Sequence, residues 1–180
     1  TVAEINDVLR NGGTDAPHVR PMRPFRAAED FERLRSAVVA AEQKPCIFLA
    51  TYGPGFWRRA RATFSSGFFG TAGLDIVDNA GFETPEAAAA AAVDAGADVV
   101  VACSDDESYA DMVPRLIAAL RAAGSDALVI VAGYPKESVE ALEKSGVDQF
   151  IHVKSDAGAI LGDLLKRLGI GLEEGKAVKK

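Results

Sequence analysis

The chain has 180 residues, of which 48% are apolar, with a formal net charge of −6. That is enough for one domain with a proper core and too little for two ordinary ones, and the acidic balance argues against nucleic acid or an anionic membrane as the main partner. No apolar run approaches the roughly 20 residues of a membrane span, and residues 1–25 lack the pattern of a secretory signal. A cytoplasmic protein is expected.

Residues 1–25 carry Asn11-Gly12-Gly13 and three prolines, Pro17, Pro21 and Pro24, with little apolar periodicity, and read as an extended linker. Over 26–44, Phe31, Leu34, Val38 and Ala41 recur at three- and four-residue steps, which predicts an amphipathic helix laid against the domain and stopped by Pro45. Five continuously apolar runs follow, Cys46–Ala50, Leu74–Val77, Asp98–Cys103, Ala127–Ala132 and Gln149–Val153. Each is succeeded by a helical stretch, so the strands are covered on both faces. Thr84 followed by Pro85 marks a helix start, and Gly96, Gly124 and Gly146 mark helix ends. The prediction is a flavodoxin-like (Rossmann-like), doubly wound five-stranded parallel sheet of order 2-1-3-4-5, over residues 45–170, before a charged tail at 171–180.

That order places the functional crevice at the carboxyl ends of the strands, at Thr51–Ala60, Cys103–Ser108 and Gly133–Pro135. Gly53-Pro54-Gly55 before a helix fits neither the dinucleotide fingerprint nor the P-loop, and is expected to be a turn. Arg58, Arg59 and Arg61 at a helix start oppose the macrodipole, so they face either solvent, an acidic partner patch or a ligand anion. Asp105, Asp106 and Lys154 have the placement of a phosphorylation receiver, but Ala50-Thr51-Tyr52 lacks its acidic pair. The two aspartates are therefore expected to cap the next helix.

The two cysteines, Cys46 and Cys103, are expected at opposite ends of the sheet, about 13 to 17 Å apart at about 3.3 Å per residue, too far for a disulfide. Cys103 and His152 would stand about 10 Å apart across strand four, which argues against a dyad. His18 and His152 leave no zinc cluster.

Three segments carry a resemblance to a known family: Arg23-Pro-Phe-Arg-Ala-Ala-Glu-Asp-Phe-Glu-Arg-Leu-Arg35, Ala60-Arg-Ala-Thr-Phe-Ser-Ser-Gly-Phe-Phe69 and Gly81-Phe-Glu-Thr-Pro-Glu86. The run from about Phe25 to Ile170 resembles the carboxyl-terminal domain of methylmalonyl-CoA mutase, and more closely that of its small, noncatalytic subunit. In the cobalamin-binding version of the domain the first turn carries Asp-x-His-x-x-Gly, whose His ligates cobalt; here the hexad falls on Gly55-Phe-Trp-Arg-Arg-Ala60, with Gly55, Trp57 and Ala60 at the three defining places. The family's Ser-x-Leu falls on Cys103-Ser104-Asp105, and its Gly-Gly on Ala132-Gly133. The resemblance implies a degenerate site in which Phe56, Trp57, Phe64, Phe68 and Phe69 fill the old nucleotide channel, with Trp57 largely buried.

It further implies that this chain binds no cofactor, and that its partner is a large subunit holding adenosylcobalamin and interconverting methylmalonyl-CoA and succinyl-CoA. The full small subunit also has an amino-terminal barrel, so the sequence is expected to be an excised domain or a fragment. Two alternatives stay open: base-on cobalamin binding without a protein ligand, and an anion- or CoA-binding module built on the three arginines.

Overall fold

The computed structural model describes residues 28–172; the linker expected at 1–25, His18 and most of the tail expected at 171–180 lie outside them. In chain order the elements are α1 Glu29–Ala40, β1 Cys46–Thr51, α2 Gly55–Gly70, β2 Asp75–Val77, α3 Pro85–Asp94, β3 Val99–Cys103, α4 Tyr109–Ala122, β4 Leu128–Ala132, α5 Val139–Ser145, β5 Gln149–Ile151 and α6 Ala157–Arg167. The sheet order is β2-β1-β3-β4-β5, and all four pairings are parallel. The predicted topology is borne out.

The uniform apolarity of the central strands has the predicted cause. All five residues of β3 are buried, as are Ile47–Thr51 of β1, because helices cover both faces. On one face α1, α2 and α6 contribute Leu34, Val38, Phe68, Phe69, Leu161 and Leu165. On the other, α3, α4 and α5 contribute Ala88, Ala92, Met112, Leu116, Leu120 and Leu142. The small side chains of α3 let it sit close to the sheet, and burying a ring such as Phe69 on the opposite face contributes about 2 to 3 kcal/mol.

Local signals set several boundaries. Thr84 Oγ accepts from the Ala87 N–H at 3.2 Å and Pro85 opens α3, while Asp156 accepts from the Ala159 N–H at 3.0 Å to start α6. Helix α1 is shorter than expected: Ala41 already turns extended, with ψ of 138°, before Pro45. Strand β5 also stops early, at Ile151, because the His152 N–H turns out of the ladder to donate to Ser155 Oγ at 3.0 Å.

Register fixes the cysteines. Cys46 pairs with Asp75 at the amino edge, Cys103 with Thr51 at the carboxyl edge, and both thiols are free. Among the described residues no helix is long and apolar enough to cross a membrane.

Candidate functional site

The carboxyl edge is built from four turns. After β1, Tyr52-Gly53-Pro54 leads into α2; Gly53 has φ of 80°, and a Cβ there would stand 2.6 Å from Ser104 Oγ. Only glycine lets β1 leave so close to the end of β3. After β2, the loop is tied back onto β1: Asn79 Nδ2 donates to the Leu49 carbonyl at 2.6 Å, Thr51 Oγ donates to Asn79 Oδ1, and the Phe82 N–H donates to the Thr51 carbonyl at 2.9 Å.

The turn after β3 is organised by Asp105. Its carboxylate accepts from the Ser108 N–H and the Ser108 Oγ, both at 2.9 Å, and from Ser104 Oγ at 3.4 Å. Burial raises this carboxyl, but the Ser108 and Ser104 hydrogen bonds outweigh it and hold it below its ordinary value of 3.8. Asp105 thus shapes the approach to α4, whose N-cap is Ser108. Asp106 does not cap the helix as expected; its Oδ1 accepts from Arg61 Nη2 of α2 at 2.9 Å.

After β4, Gly133 lies under that ion pair, and a Cβ there would meet Asp106 Oδ1 at 3.1 Å and Arg61 Cζ at 3.4 Å. Arg61 Cζ stands 5.8 Å from the Trp57 ring centroid. Its Nε is the one buried side-chain polar atom among the described residues with no hydrogen-bond partner. Deeper in, Ser65 Oγ of α2 approaches Cys103 Sγ at 3.7 Å, both residues fully buried, so the helix rests directly on the end of β3.

The aromatic expectation for this helix needs correction. Phe68 and Phe69 are buried and Phe64 packs partly against them, but Phe56 is 75% and Trp57 47% exposed. The two rings meet edge to face at 5.3 Å at the first turn of α2, whose buried residues, Ala62, Ser65, Phe68 and Phe69, all lie further along the helix. Trp57 is not a core residue. Its indole carries only an N–H donor and no in-plane lone pair.

The three arginines separate. Arg61 is paired; Arg58 lies against the Gly81 backbone, where a Cβ would stand 2.7 Å from its Nη1; Arg59 is exposed. Among the described residues neither Arg58 nor Arg59 forms an ion pair with a carboxylate. Burial pushes the Cys103 thiol up to about 12, with the Ser65 hydrogen bond acting the other way, so it stays protonated at neutral pH. His152 instead packs at 5.3 Å from the Tyr134 ring. Among the described residues no three of His, Cys, Asp and Glu gather to hold a metal ion. A cavity of about 310 Å³ lies elsewhere, between α1 and α6, lined among others by Asp30, Leu34, Asp156 and Gly162; none of the residues discussed for the site lines it.

One important residue escapes sequence reasoning. Tyr109 is fully buried; its hydroxyl accepts from the Ser104 N–H at 3.0 Å and donates to the Ala132 carbonyl at 2.6 Å, latching the ends of β3 and β4 together. The spacing of Tyr109, Met112, Val113 and Leu116 marks it as inward-facing, but nothing local names its partners. Burial is the main cause raising its hydroxyl above the ordinary range.

Fold and edge together define a flavodoxin-like α/β domain whose carboxyl crevice is crossed by its own side chains. The chain is similar to the methylmalonyl-CoA mutase small subunit of Porphyromonas gingivalis, 38% identical over 165 residues that make up 90% of this chain and 26% of that protein, and the family resemblance is thereby shown. It is also similar to the mutase small subunit of Streptomyces virginiae, 32% identical over 81% of this chain and 23% of that one, and to the large subunit from the same organism, 30% identical over 96% of this chain and 25% of that one. The chain spans about a quarter of the length of these relatives. No family model matches it. A de novo designed Rossmann 2x3 protein aligns with a TM-score of 0.40 at 13% identity, covering 76% of this chain and all of that one; the topology is read from the strand pairing itself.

Proposed function

We propose that this chain is a noncatalytic, structural domain of a methylmalonyl-CoA mutase small subunit: a degenerate cobalamin-binding fold supporting a cytoplasmic heterodimer whose large subunit holds adenosylcobalamin and interconverts methylmalonyl-CoA and succinyl-CoA. The observation that carries the reading is Trp57. At the place of the cobalt-ligating imidazole it offers an N–H and no lone pair in the ring plane, and Gly55 offers no carboxylate to orient a ligand. The residues of this turn do not fit a cobalt ligand. The exposed Phe56 and Trp57 beside Arg58 and Arg59, neither of which pairs with a carboxylate among the described residues, support a partner-facing role for the same edge, since rings, Met and Arg are the residues enriched in interface cores.

The test is a titration of adenosylcobalamin and hydroxocobalamin into the purified chain, followed by calorimetry and absorption. No saturable binding is expected. Saturation at micromolar concentration or below would overturn the reading and make base-on cobalamin binding the better account; restoring His at position 57 alone is not expected to create binding.

A further inference from the structure

Ligands of open parallel α/β sheets sit in the crevice outside the carboxyl ends of the strands, and a glycine there commonly marks a close approach to backbone. Here the approach to Gly133 is taken by the chain itself. Its backbone has φ of 155°, and the space a Cβ would occupy is bounded by Asp106 Oδ1 at 3.1 Å, a Tyr109 ring carbon at 3.2 Å and Arg61 Cζ at 3.4 Å. Three further observations concern Arg61. Its side chain is only 24% exposed although it starts one helical turn beyond Trp57 on a surface helix; its Nη2 reaches Asp106 on a different element at 2.9 Å; and Trp57 stands over it at 5.8 Å. An arginine serving only solvation would extend into water, where its Nε would be hydrated. This one folds back over the glycine, leaving Nε buried without a partner.

Resting on the reading that the cofactor fold is degenerate, we propose that Arg61 is an internal plug. Its guanidinium, clamped by Asp106 and roofed by Trp57, occupies the space above Gly133 at the end of β4 and holds the crevice shut from within. The plug is a planar cation held between a carboxylate and an aromatic face. Because Arg61 belongs to α2 and Asp106 to the β3–α4 turn, lifting α2 from the sheet edge requires breaking that pair.

The chain contains a single tryptophan, so Trp57 emission reports the plug directly. In R61A the emission is expected to shift to the red with stronger acrylamide quenching. Millimolar methylguanidinium, which restores the missing planar cation, is expected to reverse both changes saturably, with half-saturation about tenfold weaker in the R61A/D106A double variant, a loss in keeping with removal of one charged hydrogen-bond partner. D106N, which leaves Arg61 in place but unclamps it, is expected to shift emission in the same direction as R61A. Unchanged emission in R61A and D106N, or rescue that is indifferent to Asp106, overturns the plug. Should R61A lose its far-ultraviolet dichroism, D106N and R61K carry the measurement, the lysine keeping the charge without the planar fork and giving quenching between wild type and D106N. Parallel titration with hydroxocobalamin separates the two claims: saturation of the wild-type chain overturns the degenerate-fold reading, whereas no saturation combined with unchanged emission in the variants overturns the plug alone.

Discussion

The two edges of the sheet use their polar groups differently. At the amino edge, carboxylates are spent on neighbouring backbone: Asp98 Oδ2 accepts from the Cys46 N–H and Asp148 Oδ2 from the Val129 N–H, each at 2.8 Å, and Asp148 also meets Arg167. These two carboxylates staple β1 to β3 and β4 to β5. At the carboxyl edge the polar groups lock turns, while apolar side chains stay in water. Among the described residues, Phe56, Trp57, Val77, Tyr134 and Val153 are exposed and stand at or just past strand ends, with Val39 of α1 the other large exposed apolar side chain. Folding gains nothing from that exposure. The contrast supports the partner-facing role proposed for the carboxyl edge.

The sharpest way to break this contrast is at Tyr109, whose fully buried hydroxyl latches two strand ends of the carboxyl edge together. Tyr109→Phe keeps the buried ring but strands the Ser104 N–H and the Ala132 carbonyl, neither of which has water to turn to. Leaving such groups unsatisfied costs about 1 to 3 kcal/mol, which in a chain of this length lowers Tm by on the order of 5 °C. Thermal unfolding followed by circular dichroism measures it; a Tm equal to that of wild type would mean that the β3 and β4 ends do not depend on the latch.

How far the sequence discloses this molecule depends on the range over which each feature is determined. Strand existence and order were legible because burial on both faces forces each strand to be apolar throughout, as in Val99–Cys103, and short right-handed crossovers leave few topologies. The Arg61–Asp106 pair and the Tyr109 latch were not, because each joins positions far apart in the chain or a side chain to a distant carbonyl. Trp57 failed for another reason. Its helical periodicity is compatible with facing inward, but α2 buries only Ala62, Ser65, Phe68 and Phe69, and periodicity does not report which turns of a helix are covered. The half-exposed indole changes the expected effect of Trp57→Ala: on the order of 1 kcal/mol, for the covered part of the ring and its contact with Arg61, in place of the roughly 3 to 5 kcal/mol of a core tryptophan. Chemical denaturation decides it, and a loss of the larger size would place the ring back in the core.

The smallest expected effect concerns pH and the turn at the carboxyl edge. Asp105 is held below its ordinary value of 3.8 because the hydrogen bonds from Ser108 and Ser104 favour the ionised form more than burial disfavours it. A carboxyl whose folded value is depressed binds fewer protons in the folded chain than in the unfolded one, so its contribution is full above 3.8 and is lost as pH falls below that value through the folded one. The group is partly solvated, which screens the contribution and keeps it small. Asp105→Asn retains an oxygen to accept from the Ser108 N–H but removes the charge. The stability difference between wild type and this variant, read from urea midpoints, is therefore expected to be full at neutral pH and to shrink progressively as pH falls below 3.8 and through the folded value, where Asp105 takes up its proton in the folded chain as well. A difference that is constant across that range would show that the Asp105 charge contributes nothing, and that the turn between β3 and α4 is held by geometry alone.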